Sequence, residues 1–324
     1  TGRPKAALLS WGNLYYNALG SNRNIPLGPG DRWLLSLPLY HVGGLGILMR
    51  CFLAGAAVAL PERGAPIGQS IAALGVTHVS MVTTQLVRLL RHGGSGQLAG
   101  LRAILLGGSA FPSALLEEAR ALQVPIHTSY GLTEMASQVT TTPPDADALE
   151  LATSGQLLEY RELHISDEGE ILVGGETLFQ GYVDGDELYR PVDADGWFHT
   201  GDLGALDARG SLTVLGRRDN MFISGGENVQ PEEIEQVLCR IPGVEQAVVV
   251  PVPDAEFGFR PAAFVQAAPG SARPSEYAAV LSGMLPRFKV PVAFFDWTEA
   301  DTGERMKVDR EELARRAADA LGRG

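Results

Sequence analysis

Four short stretches of the chain carry residue types suited to work on a phosphorylated ligand. Thr1-Gly-Arg-Pro-Lys5 combines flexible backbone donors at Thr1 and Gly2, a hydroxyl and the Lys5 cation. That is the composition of a phosphate-holding loop, although the spacing is not GxxxxGK[ST]. Tyr130-Gly-Leu-Thr-Glu134 offers a ring to stack on a base, the Thr133 hydroxyl for phosphate and the Glu134 carboxylate for Mg²⁺. Thr200-Gly-Asp202 puts a carboxylate directly after a glycine, which suits a bidentate grip on two adjacent hydroxyls such as those of a ribose. Lys307, in a glycine turn that opens at Asp301, is a cation able to stabilise charge building on a pentacoordinate phosphorus. Read singly, each has an ordinary alternative: an exposed turn, a half-buried packing ring at Tyr130, a solvated helix-start acid at Glu134, a β-turn aspartate, a surface lysine.

Composition narrows the field. A net charge of −12 with few Lys and Arg clusters disfavours a nucleic-acid partner while leaving room for a local site for an anionic cofactor. The two cysteines, Cys51 and Cys239, are too few for a disulfide framework, so a reducing compartment fits. No run reaches the roughly 18 apolar residues of a membrane span, and the expected location is the cytoplasm. The six histidines show no zinc-ligand spacing, and His41 reads equally well as a core histidine. Neither a nucleophile elbow nor HExxH occurs.

The elements that must position these residues follow from apolar periodicity and turn signals. Residues 6–9 read as a strand and Ser10 as the cap of a helix reaching about Leu19; Leu34–Leu37 read as a strand, followed by an apolar helix over 45–54. Strand 56–60, helix Gln69–Leu74, strand 77–82, helix 84–91, strand 102–106, helix 112–121 and strand 124–128 then alternate, which argues for a mostly parallel sheet. The loops Gly107-Gly-Ser109 and Tyr130–Glu134 are thereby expected at carboxyl ends of strands, where open α/β folds hold ligands. Residues 153–214 read as small antiparallel sheet.

A junction runs from Gly216 to Glu235. Gly225 and Gly226 give a tight turn or let backbone approach a ligand, and Pro231-Glu-Glu233 starts a helix over 231–240. Strands 244–252, 260–267 and 292–297 and helices 274–285 and 309–321 complete a second compact region. The fold expected is α/β: a large domain of mostly parallel sheet with an antiparallel region (1–216), a hinge (217–220) and a smaller mobile α+β domain (221–324).

Taken in order, these motifs resemble the adenylate-forming superfamily of acyl-CoA synthetases, peptide-synthetase adenylation domains and luciferases. Thr1–Lys5 is similar to the end of its phosphate loop, with Ala6 where glycine is usual. Tyr130–Glu134 is similar to its adenine and Mg²⁺ motif and Thr200–Asp202 to its ribose motif; Arg217 is implied on the ribose side and Asp219 as the hinge pivot. Ser224–Val229, with Gly225 and Gly226, resembles the thiolation loop, and Lys307 occupies the place of the acyl-adenylation lysine, preceded by Met306 instead of glycine. Phe257 stands where tryptophan is frequent. Within the superfamily, Pro38–Leu45, Gly107–Ser109 and Thr133–Val139 are most similar to the o-succinylbenzoate–CoA ligases of menaquinone synthesis. The family also holds general acyl- and aryl-CoA ligases and carrier-loading modules, and a nucleotide-binding fragment is a further alternative, because the opening residues read as the second half of a loop.

The resemblance implies ATP, Mg²⁺ and coenzyme A acting on a small carboxylic acid, with no membrane insertion. It also implies an acyl-adenylate intermediate, and homodimers are common among such enzymes. Catalysis would fall to Lys307, Thr133, Glu134 and Lys5, and nucleotide or CoA contacts to Thr1, Gly2, Tyr130, Gly131, Thr133, Asp202, Arg217, Gly225 and Gly226. The acid pocket is expected from loops carrying His41, Gly43, Gly44, Gly108, Ser109 and Gln138, with His41 or Gln138 meeting a distal carboxylate.

Overall fold

The computed structural model describes residues 6–91, 95–98, 100–107, 119, 121, 123–268, 274–297 and 308–323. Thr1, Gly2, Lys5, Gly108, Ser109, Lys307 and most of the helix expected at 112–121 lie outside the described residues.

Ser10 separates strand β1 (Ala6–Leu8) from helix α1 (Trp11–Asn24) by a reciprocal capping box. Its hydroxyl accepts from the Asn13 N–H, and the Asn13 side chain accepts from the Ser10 N–H. The helix continues past the expected Leu19. Next come β2 (Arg32–Leu34), helix α2 (Val42–Ala54), β3 (Ala57–Ala59), β4 (His78–Val82), β5 (Ala103–Gly107), β6 (Ile126–Leu132), β7 (Ser137–Thr141) and β8 (Gln156–Leu157). They form one seven-stranded sheet in the order β3-β2-β4-β5-β6-β7-β8, parallel as far as β6 and antiparallel beyond it.

Strand periodicity explains the layers. Along β5, Ala103 and Leu105 join Trp33, Ile25, Ile47 and Cys51 on one face. Ile104 and Leu106 join Val79, Met81, Leu86 and Leu90 on the other. Each large apolar side chain so buried contributes about 1.5–3 kcal/mol, so the two faces outweigh any single cap.

Three expectations need correcting. β2 ends at Leu34, not Leu37. Tyr130, Gly131 and Leu132 belong to β6 itself, because β7 turns back and pairs with them. Gly43 and Gly44 lie in the first turn of α2, not a loop, because the His41 side chain caps that helix by accepting from the Gly43 N–H at 3.5 Å.

Beyond Pro144 the chain becomes antiparallel through β9 (Glu162–Ile165), β10 (Glu170–Gly174), β11 (Gly181–Asp184), β12 (Glu187–Tyr189), β13 (Phe198–Leu206) and β14 (Leu212–Arg217). These make a sheet β14-β13-β10-β9 and a sheet β1-β11-β12. Their shared core includes Met135, Val139, Ile171, Phe179, Phe198 and Leu212.

The chain divides into two compact units, one of Gly2–Thr200 with Gly204–Val214 and the other of Gly201–Leu203 with Leu215–Gly324. In the second unit β15 (Phe222–Ser224) and β16 (Glu227–Val229) form a hairpin beside β17 (Val244–Asp254), β18 (Gly258–Ala267) and β19 (Phe294–Asp296). Ala247 and Val249 face helices Pro231–Leu238 and Pro274–Met284, whereas Val248, Val250 and Val252 face helix Arg310–Ala320. Among the described residues no helix is long and apolar enough to cross a membrane. Replacing Ser10 by Ala removes one half of the capping box and is expected to cost about 1 kcal/mol, read as a lower urea midpoint at unchanged slope.

Candidate active site

The Tyr130–Glu134 motif is shaped by a change of register. β6 and β7 pair Tyr130 with Thr140 and then, past a bulge, Gly131 with Gln138 and Leu132 with Ser137. A single 3₁₀ turn, Thr133–Met135, joins the strands, and Ala136 and Ser137 follow it with φ of 57° and 131°. Such positions cost about 1–3 kcal/mol each in side-chain-bearing residues and need surrounding contacts to persist.

Those contacts come from α1. Asn17 Nδ2 donates to the carbonyls of Met135 at 2.9 Å and Gln138 at 3.1 Å. Asn13 Nδ2 donates to Glu176 at 2.9 Å and Leu178 at 2.8 Å. The Ser21 hydroxyl donates to Gln138 Oε1 at 2.7 Å. Asn13, Asn17 and Ser21 are buried and lie four residues apart, so one helix face supplies all three. The Phe179 N–H donates to the Glu134 carbonyl at 2.8 Å, and the Tyr182 hydroxyl donates to Glu134 Oε1.

With its backbone held this way, the turn leaves Thr133 and Gly131 exposed and Glu134 and Tyr130 half-buried. Tyr130 packs its ring against the antiparallel core. Among the described residues no set of three or more His, Cys, Asp or Glu gathers to hold a metal. A cation at Glu134 would therefore take most of its ligands from phosphates and water, which is how Mg²⁺ is usually bound. The hard oxygen of a single carboxylate fits that ion.

The expected acid pocket is only partly realised. Gln138 is buried in β7 with both side-chain polar atoms engaged, since Nε2 donates to Thr141 Oγ1 at 2.7 Å and Oε1 accepts from Ser21. It belongs to the interior network and does not offer a polar end to a ligand. His41 is half-buried at the cap of α2. Gly44 permits a close approach: a Cβ there would meet the Pro38 carbonyl oxygen at 2.2 Å.

Arg50, in the same apolar helix, is a functional candidate that the motifs do not include. It is 1% exposed, its guanidinium lies 5.0 Å from the centre of the Trp33 ring, and none of its three side-chain nitrogens has a hydrogen-bond partner among the described residues. Burial lowers its pKa to about 10. The signal available in the sequence was an arginine within an otherwise apolar helical run. Arg161 is a second buried guanidinium, but it donates to the carbonyls of Gln138, Glu159, Asn17 and Tyr16. Burial and the nearby Arg50 charge lower its pKa to about 9.

In the second unit Arg217 bridges two carboxylates, donating to Asp202 at 3.0 Å and Asp219 at 3.2 Å. The proposed ribose aspartate is therefore already oriented by its expected neighbour. Asp219 sits in the 3₁₀ turn Arg218–Asn220 and is exposed. Gly225 and Gly226 form the two-residue turn between β15 and β16 with φ of 59° and 87°. Positive φ at both positions matches the primed turn that suits strand twist.

A parallel sheet that ends in a nucleotide-type motif, with a separate α+β unit carrying a carboxylate-oriented arginine and a glycine hairpin, defines the class. The chain belongs to the AMP-binding enzyme family, whose profile matches residues 1–183, and the profile of the AMP-binding enzyme C-terminal domain matches residues 233–300. It is 38% identical over 325 residues to the 2-succinylbenzoate–CoA ligase of Bacillus cytotoxicus, covering 97% of this chain and 67% of that protein. The o-succinylbenzoate CoA synthetase (MenE) of Bacillus subtilis in complex with the acyl-adenylate OSB-AMP superposes with a TM-score of 0.84 at 34% identity, over 97% of this chain and 66% of that one. The same enzyme in complex with ATP and magnesium ion gives 0.80 at 35% identity, over 92% and 64%. The chain thus spans about two thirds of the length of these relatives.

His199, just before the Thr200-Gly-Asp202 motif, lies between Glu170 Oε2 at 3.2 Å and Asp193 Oδ2 at 3.3 Å. The Glu170 hydrogen bond, with help from Asp193, raises its pKa above the ordinary 6.5. A raised folded-state pKa gives stability that is complete below about 6.5 and lost as pH rises through the higher folded value. Wild type should exceed His199→Gln in melting temperature more at about pH 5.5 than at about pH 9, by a modest margin for so exposed a ring. An equal margin at both pH values would refute the coupling.

Proposed function

We propose that the chain is the major part of an ATP-dependent ligase joining o-succinylbenzoate to coenzyme A through an acyl-adenylate, with release of pyrophosphate and then AMP. The relatives support the reaction class, and Arg50 carries the substrate assignment. A buried charge without a partner costs several kcal/mol, and a cation–π contact returns only about 2 kcal/mol. An anion brought by the substrate supplies what the protein does not. An aromatic keto-diacid has such a group at the end opposite its reacting carboxylate. In this reading Arg50 replaces Gln138 in the acid pocket beside His41, Gly43, Gly44, Gly108 and Ser109.

The first half-reaction brings a carboxylate to a polyanion. Mg²⁺ would neutralise phosphate charge, and Glu134 would be its protein ligand. Thr1, Gly2 and Lys5 would hold phosphate, Thr133 would hydrogen-bond to it, and Lys307 would stabilise the charge that develops at phosphorus. Tyr130 and Gly131 would receive the base, and Asp202 with Arg217 the ribose. Displacement of AMP by the CoA thiol would call on the Gly225–Gly226 hairpin, with Asp219 as pivot between the two half-reactions. The same resemblance supports a cytoplasmic enzyme whose homologues are commonly homodimers.

Two measurements test this reading. Thioester formation should favour o-succinylbenzoate over benzoate and a medium-chain fatty acid, and equal use of the fatty acid would defeat it. Arg50→Met should weaken binding of a non-hydrolysable o-succinylbenzoyl adenylate by about 30-fold or more, as expected for loss of one member of a buried charge pair. Its melting temperature should equal or exceed that of wild type, because an unpaired buried charge is replaced by an apolar chain. A benzoyl adenylate analogue should lose little affinity.

A further inference from the structure

Glu134 has its main chain fixed from three sides. Phe179 donates to its carbonyl, Asn17 holds the next residue's carbonyl, and the Ala136 N–H closes the turn on Thr133 at 3.0 Å. None of these bonds determines where the carboxylate points. Tyr182 does, because its hydroxyl donates to Oε1. Oε2 accepts no hydrogen bond from the described residues.

Tyr182 is itself well placed to orient another group. It lies on β11 opposite Ala7 of β1, just beyond Lys5. Its ring stands edge-on to Phe179, 4.8 Å between centres at 73°, and Phe179 is fully buried and edge-on to Phe198 at 5.4 Å. The aromatic layer leaves the phenol little freedom. A neutral donor is chemically apt here: an arginine or lysine would orient the carboxylate equally well but would cancel the charge that a cation needs.

We propose that Tyr182 is a positioning residue for the cation of bound ATP, taking Oε1 of Glu134 so that Oε2 is presented to Mg²⁺. The proposal rests on the reading of Glu134 as the metal's carboxylate ligand. Groups that orient a metal ligand typically change metal affinity by about 10–100-fold when removed.

The test uses the full chain and Mn²⁺ as a paramagnetic substitute, titrated into ATP-loaded protein and followed by electron paramagnetic resonance, with ATP affinity measured separately in EDTA. Tyr182→Phe should weaken Mn²⁺ binding about 10-fold while leaving ATP affinity in EDTA and the melting temperature near wild type. The double variant with Glu134→Gln should be no weaker for Mn²⁺ than Glu134→Gln alone. If Glu134→Gln weakens Mn²⁺ binding and Tyr182→Phe stays within twofold of wild type, the inference about Tyr182 fails and the site reading stands. Parallel losses in Mn²⁺ binding, ATP affinity in EDTA and melting temperature would mark a packing role and overturn it as well. If Glu134→Gln has no effect, or wild type binds no ATP, the reading beneath the proposal fails.

Discussion

The polar stripe of α1 is the constraint on which the larger unit's chemistry depends. Asn13, Asn17 and Ser21 are buried amides and a hydroxyl, and transferring such groups out of water without partners would cost about 1–3 kcal/mol each by mutational measures. Every one instead bonds to residues 135–138 or to the segment 176–178. The exchange works in both directions. The stripe's donors find their acceptors only if the 3₁₀ turn and the left-handed residues Ala136 and Ser137 form, and that costly turn persists because the stripe takes up its carbonyls. The main chain of Glu134 is thus over-determined.

The two buried arginines show how similar burial serves different ends. Arg161 spends its guanidinium on four carbonyls around α1 and β7 and thereby joins the stripe's network. The Arg50 guanidinium, on α2, lies against the Trp33 ring and among the described residues has no hydrogen-bond acceptor. Burial lowers the pKa of both, and the Arg50 charge lowers that of Arg161 further. On the reading proposed above, Arg161 holds the walls of this interior and Arg50 meets the anion of the substrate. Stability alone would favour an apolar residue at position 50, which is why the proposed reading gives its charge to a ligand.

Much of this organisation was legible in the chain. The β-α alternation, Ser10 as a cap and Pro231 at a helix start were local signals, and each depends on residues within a few positions of one another. The Tyr130–Glu134 motif is legible but its strand character is not, because pairing with β7 is decided by a turn whose left-handed residues are an alanine and a serine instead of glycines. The sequence neighbourhood of Gln138 points to the pocket; only tertiary packing shows that Ser21 and Thr141 already occupy it. Arg50 and Tyr182 carry no motif signal for the same reason. What singles them out is their surroundings: for Arg50 no hydrogen-bond partner among the described residues, for Tyr182 a carboxylate far away in the chain. The Asn13-Asn17-Ser21 spacing was visible in principle, as a polar face on a helix that had to be buried.

The second unit follows a different rule: internal rigidity around parts that act together. Arg310 makes two hydrogen bonds to the Glu235 carboxylate, at 2.7 and 3.0 Å, and a third to the Val249 carbonyl at 2.8 Å, so the start of the last helix is fixed to helix Pro231–Leu238 and to β17. The hairpin is tied to the same sheet, for the Gly225 N–H donates to Phe257 at 2.9 Å and Ser224 pairs with Gly258. Arg310 lies shortly after Lys307 in the chain, so the attachment point of the lysine segment and the glycine hairpin belong to one body. Neither can be repositioned without the other unless β17 and β18 come apart, which would expose a core that includes Val249, Val250, Ala263 and Phe264. On the proposed reading, a change from adenylation to thiolation leaves this unit intact and is taken up by backbone torsions at the exposed Arg218–Asn220 turn.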